Sequence, residues 1–202
     1  MNTHGATERP LVNVSGKHVA LGGLARPLLP LYQAWMNDFA TQGSAGYPDR
    51  PQPWTDEMMA QWYERAATDH EHIWFTIYAT ADWRAIGMAI LRDIDMQHRT
   101  AEFGITIGDR TDRGKGYGTE AVQLLLDHAF TGLGLNNVQL RVYEFNQAGQ
   151  RAYQKAGFKV IGRRRRAQFM GGRFWDVIYM DCLAEEFSSP VLKQALAPDE
   201  AR

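Results

Sequence analysis

Between Asp109 and Gly118 the chain sets two cations, Arg113 and Lys115, among three glycines, Gly114, Gly116 and Gly118, and then turns into a helix-forming run. Residues of these types at this spacing can hold an anion. Glycines let the backbone approach a ligand closely. The first N–H groups of a helix, with the positive end of its dipole, point at whatever lies ahead of it. The flanks must supply the geometry. Ala101, Phe103, Ile105 and Ile107 alternate with Glu102, Gly104 and Thr106, the period of a strand, which ends near Gly108. From Thr119 the apolar positions Ala121, Val122, Leu125, Leu126, Ala129 and Phe130 recur at three- and four-residue spacing, so an amphipathic helix is expected to about Leu133.

Spacing separates the anions that such a loop could take. The nucleotide-binding lysine loop needs G-x-x-x-x-G-K followed by Ser or Thr. Here Gly108 lies one residue too far from Gly114-Lys115, and Gly116 stands where the hydroxyl should be. A dinucleotide is the harder alternative, because Gly116-Tyr117-Gly118-Thr119-Glu120-Ala121 fits G-x-G-x-x-A and Glu144 ends the following strand. Against it, the first glycine of that fingerprint follows its strand almost directly and usually opens the domain, whereas here several strands come first.

Arg113-x-x-Gly116-x-Gly118 resembles the pyrophosphate loop of the GNAT superfamily of acyl-CoA-dependent N-acetyltransferases, and RGKGYGTEA is similar to its RimJ/RimL branch. Two further segments carry the resemblance in the right order. They are Asn146-x-Ala148-x-x-x-x-Tyr153-x-Lys155-x-Gly157-Phe158, and Gly172-Arg173 with Asp176-x-x-x-Met180-x-x-Leu183-x-Glu185-Glu186-Phe187. The resemblance covers Gly16 to Phe187. It implies acetyl-CoA as co-substrate and a primary amine, of a small molecule or a protein or peptide N-terminus, as acceptor, attacked directly in a ternary complex. It also implies cofactor contacts at Arg113, Gly114, Lys115, Gly116, Tyr117, Gly118, Thr119 and Asn146. Main-chain groups of Ile105, Thr106 and Ile107 would bind the pantetheine arm and polarise the thioester carbonyl. Tyr153 stands at the position of the acid that serves the departing thiolate, and a phenol with an ordinary pKa near ~10 is protonated at neutral pH. Glu102 stands on the strand where similar enzymes keep a glutamate as base, often acting through an ordered water.

Each of these side chains also has a plainer explanation. Tyr153 is a residue that packs helices, Asn146 a residue that caps them, and Glu102 an ordinary solvated or structurally bonded carboxylate. A catalytically silent acyl-CoA-binding module is the alternative from another class, opposed by the retention of Tyr153 and the full glycine loop.

Composition fits one such domain. Lys and Arg total 22 against 23 Asp and Glu, so no net charge points to nucleic acid or a lipid surface. The single cysteine, Cys182, has no partner for an internal disulfide or a zinc site and is expected buried on a strand in a reducing, cytoplasmic protein. No basic segment with an apolar run opens the chain, and no apolar stretch is long enough to span a membrane. His70-Glu71-His72 lacks a third ligand at a recognisable spacing, so no metal is expected. Arg163 to Arg166 reads as solvated charge on an edge strand, with lining of the acceptor site or binding of a CoA phosphate as the alternatives. Similar proteins are often homodimers.

The expected fold is a single-domain α/β (α+β) arrangement, a mixed, mostly antiparallel sheet flanked by helices, in the order β-α-α-β-β-β-α-β-α-β-β. Residues 1–15 are read as a flexible lead-in, 16–187 as the acetyltransferase domain and 188–202 as a tail. Within the domain, a strand is expected over Lys17 to Leu21 and a helix over Leu28 to Phe39. Next come an extended segment from Tyr47 to Trp54 held by Pro48, Pro51 and Pro53, and a helix capped by Thr55 and running to Thr68. A hairpin follows over Ile73 to Ala79 and Ala85 to Ile94. Beyond the loop helix come a strand over Val138 to Tyr143, a helix capped by Asn146 that ends before Gly157, and two strands flanking Gly171-Gly172.

Overall fold

The computed structural model describes residues 9–45 and 52–198. The elements in chain order are β1 (Val14–Ser15), β2 (Val19–Gly22), α1 (Leu29–Asn37), α2 (Phe39–Ala45), α3 (Asp56–Thr68), β3 (Ile73–Ala79), β4 (Ala85–Asp95) and β5 (Thr100–Ile107). There follow α4 (Tyr117–Asp127), β6 (Asn137–Tyr143), α5 (Gln147–Ala156), β7 (Lys159–Met170), β8 (Arg173–Leu183) and α6 (Leu192–Ala195). The strands make one eight-stranded sheet in the order β1-β2-β3-β4-β5-β6-β8-β7, antiparallel except where β5 meets β6. This is the mixed α/β sheet expected.

Alternation along the strands sends apolar side chains to both faces, and helices cover both. On one face Phe75, Leu91, Ala101, Phe103, Leu140 and Ile178 pack under Ala121, Leu124, Leu125 and Ala156 of α4 and α5. On the other, Met88 joins Tyr32 and Trp35 of α1 and Met59 and Trp62 of α3. Tyr32 and Trp62 meet edge to face with ring centroids 6.0 Å apart, as do Trp62 and Trp74 at 5.2 Å, the spacing of a packed aromatic cluster.

Local chemistry explains most boundaries. The Thr55 hydroxyl accepts from Met58 N at 3.3 Å and starts α3. Gly157 closes α5 at φ 115°, where a side chain would strain. Gly171 and Gly172 both take positive φ and make the two-residue turn that joins β7 to β8. Cys182 is buried on β8.

Three differences from the sequence expectation have identifiable causes. Val14 and Ser15, read as lead-in, pair with β2 as β1, and Val14 is buried. The helix expected to end at Phe39 breaks at Asp38, whose carboxylate accepts from the N–H groups of Ala40 and Thr41, both at 3.1 Å, and so caps a second helix, α2, in place of a loop. The loop helix begins at Tyr117, and beyond Asp127 its last turn widens into a π segment, His128–Gly132. There Asp127 is buried, accepts from Thr131 Oγ1 at 2.8 Å and takes the N–H groups of Val191 and Leu192 at 2.9 and 2.8 Å, which fixes α6. Tyr47, Pro48 and Pro51 lie outside the described residues.

Candidate active site

β5 and β6 pair at Thr100–Asn137, Ala101–Val138 and Glu102–Gln139 and no further, although β5 continues to Ile107 and β6 to Tyr143. β5 stays paired with β4 to its end, and β6 with β8. Two neighbouring strands therefore diverge inside the sheet. The main-chain groups of β5 that face β6 beyond Glu102 are left without a strand partner. A cleft of about 870 Å³ opens along this divergence, within the range of small-molecule sites.

One end of the cleft is the glycine loop. Gly114 and Gly116 have φ 77° and 87°, a region that side chains avoid. Gly116 is the N-cap of α4 and no side chain caps that helix, whereas Thr55 and Asn146 cap α3 and α5. A helix N-terminus left without a side-chain cap, facing a cleft, has the N–H groups and dipole to suit an anion. Ile105, Thr106, Ile107, Arg113, Gly114, Gly116, Gly118, Thr119, Asn146 and Tyr153 all line the cleft.

Three expected residues are placed otherwise. Tyr117 opens α4 and packs against the core. Lys115 turns to Asp112, with Nζ 3.3 Å from Oδ1, so in this geometry its charge serves the loop rather than the cleft wall. Glu102 is 7% exposed, does not line the cleft, and one of its oxygens takes N–H groups from both Arg92 and Arg141. A general base reaches the proton it removes directly or through one water, and in this geometry Glu102 holds two guanidinium groups. Arg113 donates from Nη2 to the Ile107 carbonyl and the Thr41 hydroxyl, both at 3.1 Å, bracing the loop on β5 and α2. Burial lowers its pKa from the ordinary arginine value.

The loop is anchored by residues that no motif flagged. Asp112 is buried and receives Arg84 Nη1 and Nη2 at 2.6 and 2.5 Å, a two-pronged pair that ties the β3–β4 turn to the glycine loop. Arg84 holds the Asp112 carboxyl below its usual value against the opposing effect of burial. A lowered carboxyl pKa contributes stability at pH above about 4, the unfolded value, and that contribution is lost as pH falls through the folded value. We expect the unfolding midpoint of the wild type to drop more steeply than that of Asp112→Asn as pH is taken from 6 to 3, with Asp112→Asn less stable at neutral pH by about 1–2 kcal/mol. The figure is reduced because Arg84 is part exposed. Parallel pH curves would remove the role. Gly108 serves packing, since a Cβ there would stand 2.1 Å from the Trp35 indole.

Tyr153, on α5, packs edge to face on Phe103 at 6.0 Å and on Phe158 at 6.1 Å. Burial pushes its pKa up to about 12. The Asn146 side chain accepts from Gly149 N at 2.9 Å, so it is a helix cap in fact as well as in type. His70-Glu71-His72 follows Asp69, whose carboxylate accepts the N–H groups of Glu71 and His72 in a turn. Arg163, on the edge hairpin, pairs with Asp176 at 2.9 Å and with Glu144, just past the end of β6, at 3.2 Å.

A GNAT acetyltransferase domain matches residues 26–159, more than half of the chain. The chain belongs to the GNAT family. Among curated GNAT relatives, the spermidine N(1)-acetyltransferase of Escherichia coli (strain K12) is 35% identical over 99 residues, 49% of this chain and 53% of that protein. The putative ribosomal N-acetyltransferase YdaF of Bacillus subtilis (strain 168) is 30% identical over 106 residues, 52% of this chain and 57% of that protein. The chain thus spans about half the length of these curated relatives. The crystal structure of spermidine N-acetyltransferase from Vibrio cholerae in complex with CoA and spermine superposes with a TM-score of 0.75 at 25% identity, covering 84% of this chain and 97% of that one. Within the GNAT fold, the diverging strands, the uncapped α4 and Tyr153 fall along one continuous cleft.

Proposed function

We propose that the protein is an acetyl-CoA-dependent N-acetyltransferase of the RimJ/RimL-like branch that acts on the primary amine of a small molecule. The observation that carries this is the uncapped N-terminus of α4 at one end of a cleft that runs between diverging strands to a tyrosine. The α4 N–H groups and Arg113 suit a pyrophosphate, the unpaired edge of β5 suits an extended amide-bearing arm and a thioester carbonyl, and Tyr153 suits the sulfur. The amine nitrogen forms a C–N bond to the acetyl carbon, the C–S bond breaks, and the Tyr153 phenol donates to the departing thiolate.

An acyl-enzyme route is disfavoured by the residues present. Cys182 is the single cysteine, is buried on β8, and burial raises its pKa to about 11, so at neutral pH it is a thiol rather than a nucleophilic thiolate. The proton of the attacking amine goes to water in the cleft, with Glu102 contributing by holding Arg92 and Arg141. Glu102→Gln should keep the shape of the kcat–pH profile while lowering kcat/KM. Loss of an acidic limb in that variant would restore Glu102 as the base.

The test follows release of CoA thiol when acetyl-CoA is offered with polyamines, aminoglycosides, amino acids and N-terminal peptides. Release that depends on an amine supports a transferase. Tight CoA binding without release from any acceptor supports the silent binding module, and affinity for NAD in place of CoA supports the dinucleotide alternative.

A further inference from the structure

The cleft wall on the side of α1 and α3 carries a charge pattern that neither the phosphate loop nor Tyr153 uses. Met88, Ile90 and Arg92 alternate onto one face of β4, and their β5 partners Thr106, Gly104 and Glu102 share it. The parallel pair Glu102–Gln139 places Arg141, two residues further along β6, on the same face. Arg92 donates to Glu102 Oε1 from Nε at 3.0 Å and from Nη2, and Arg141 donates to the same oxygen from Nε at 3.1 Å and Nη2 at 2.9 Å. The carboxylate is buried behind the wall, while the two arginine side chains are 37% and 50% exposed and line the cleft. No other described residue takes a hydrogen bond from Nη1 of either arginine. Two cations share one anion, so the wall presents net positive charge, and the forked edges of its arginines suit a planar carboxylate.

The surroundings are apolar. Met36, Trp54, Trp74, Met88 and Ile90 line the same region. Trp54 is strapped to α1, its N–H donating to Asn37 Oδ1 at 2.8 Å and its carbonyl accepting from Gln33 and Asn37. Among the described lining residues the one carboxylate is Asp112, at the loop end and already paired with Arg84 and Lys115. A polycation would bring its second ammonium against the arginines.

We propose that Arg92 and Arg141 form an anion seat in the acceptor subsite, held from behind by Glu102, so that the amine taken also carries a carboxylate beside an apolar body, as an apolar or aromatic amino acid does. This deepens the transferase assignment and rests on it. The experiment compares kcat/KM for phenylalanine and methionine with that for their carboxamides and for spermidine, at saturating acetyl-CoA. At least a tenfold preference for the acids over the amides is expected, with spermidine poorer still. In Arg92→Gln/Arg141→Gln the preference should collapse to near unity through KM, and in Arg92→Lys/Arg141→Lys part of it should return.

Equal use of acid and amide by the wild type, preference for spermidine, or an unchanged ratio in the glutamine variant would overturn the seat. A purely structural role for the arginines would slow all acceptors alike and leave the ratio unmoved. If no acceptor releases thiol, the transferase assignment falls, and the seat is judged separately by titrating N-acetylphenylalanine and its carboxamide into CoA-loaded protein by tryptophan fluorescence. Tighter binding of the acid, abolished in the glutamine variant, supports the seat, and equal binding overturns it.

Discussion

Tyr153→Phe is expected to lower kcat by about 10²–10³-fold, the range seen when one donor to developing charge is removed, while leaving the KM for acetyl-CoA and the thermal midpoint close to wild type. The ring has two separate jobs. Its faces and edges pack on Phe103 and Phe158, contacts that phenylalanine keeps. Its hydroxyl shows a pKa raised to about 12 with burial as the single cause, no hydrogen bond or charge contributing. Removing that oxygen should therefore cost chemistry rather than folding. A phenol with a raised pKa favours sharing its proton with a thiolate, whose acid ionises near ~8.5, over giving it up outright. In the proposed reaction it stabilises the sulfur by a hydrogen bond as the C–S bond breaks.

The same shift has a pH consequence. A raised tyrosine pKa keeps the donor protonated to higher pH, so kcat should hold through about pH 10, where an unshifted tyrosine would already be half ionised. An unchanged kcat in Tyr153→Phe would reduce Tyr153 to packing.

The second large effect is expected at Gly116. At φ 87° and with open space where a Cβ would stand, the position refuses side chains through the backbone and not through collision. A non-glycine residue there costs about 1–2 kcal/mol, least for Asn and Asp. Gly116→Asn carries that strain without charge, whereas Gly116→Asp adds a carboxylate at the α4 N-terminus, where the helix dipole favours it. Folding should tolerate both. An anion at this end of the cleft should tolerate only one, because two charges about 4 Å apart at an effective dielectric of 20 interact by about 4 kcal/mol. The Kd for CoA is expected at least 100-fold weaker in Gly116→Asp than in Gly116→Asn, with Asn within tenfold of wild type. Equal affinities in the two variants would move the pyrophosphate away from α4.

The sheet-forming half of the site was legible in sequence because its signals are local. The strand period of Thr100–Ile107 gives way to helical spacing across the loop, Asn146 and Gly157 bracket α5, and Gly171-Gly172 marks the last hairpin. What sequence hid depends on register. Alternation put Glu102 on the face away from Phe103, yet its neighbours are Arg92 across β4 and Arg141 from β6, 39 residues on. Which residues oppose one another follows from strand pairing and not from spacing. The Arg84–Asp112 pair spans 28 residues for the same reason. α2 was masked by apolar spacing that carries α1 through to Phe39 and by Gly43, a weak helix former, although Asp38 was a readable cap. Lys115 matched a phosphate loop by type and is drawn to Asp112 by a buried charge that no motif contains.

The transfer itself is tested most directly by mass spectrometry of protein and amine after mixing with acetyl-CoA, first without and then with an acceptor found by thiol release. Direct attack in the cleft requires that the protein stay unmodified in both mixtures and that the amine gain one acetyl group only when protein, acetyl-CoA and amine are together. An acetylated protein that passes its acetyl group on to the amine after acetyl-CoA is removed would contradict direct attack, and an amine left unmodified in every mixture would contradict the transfer.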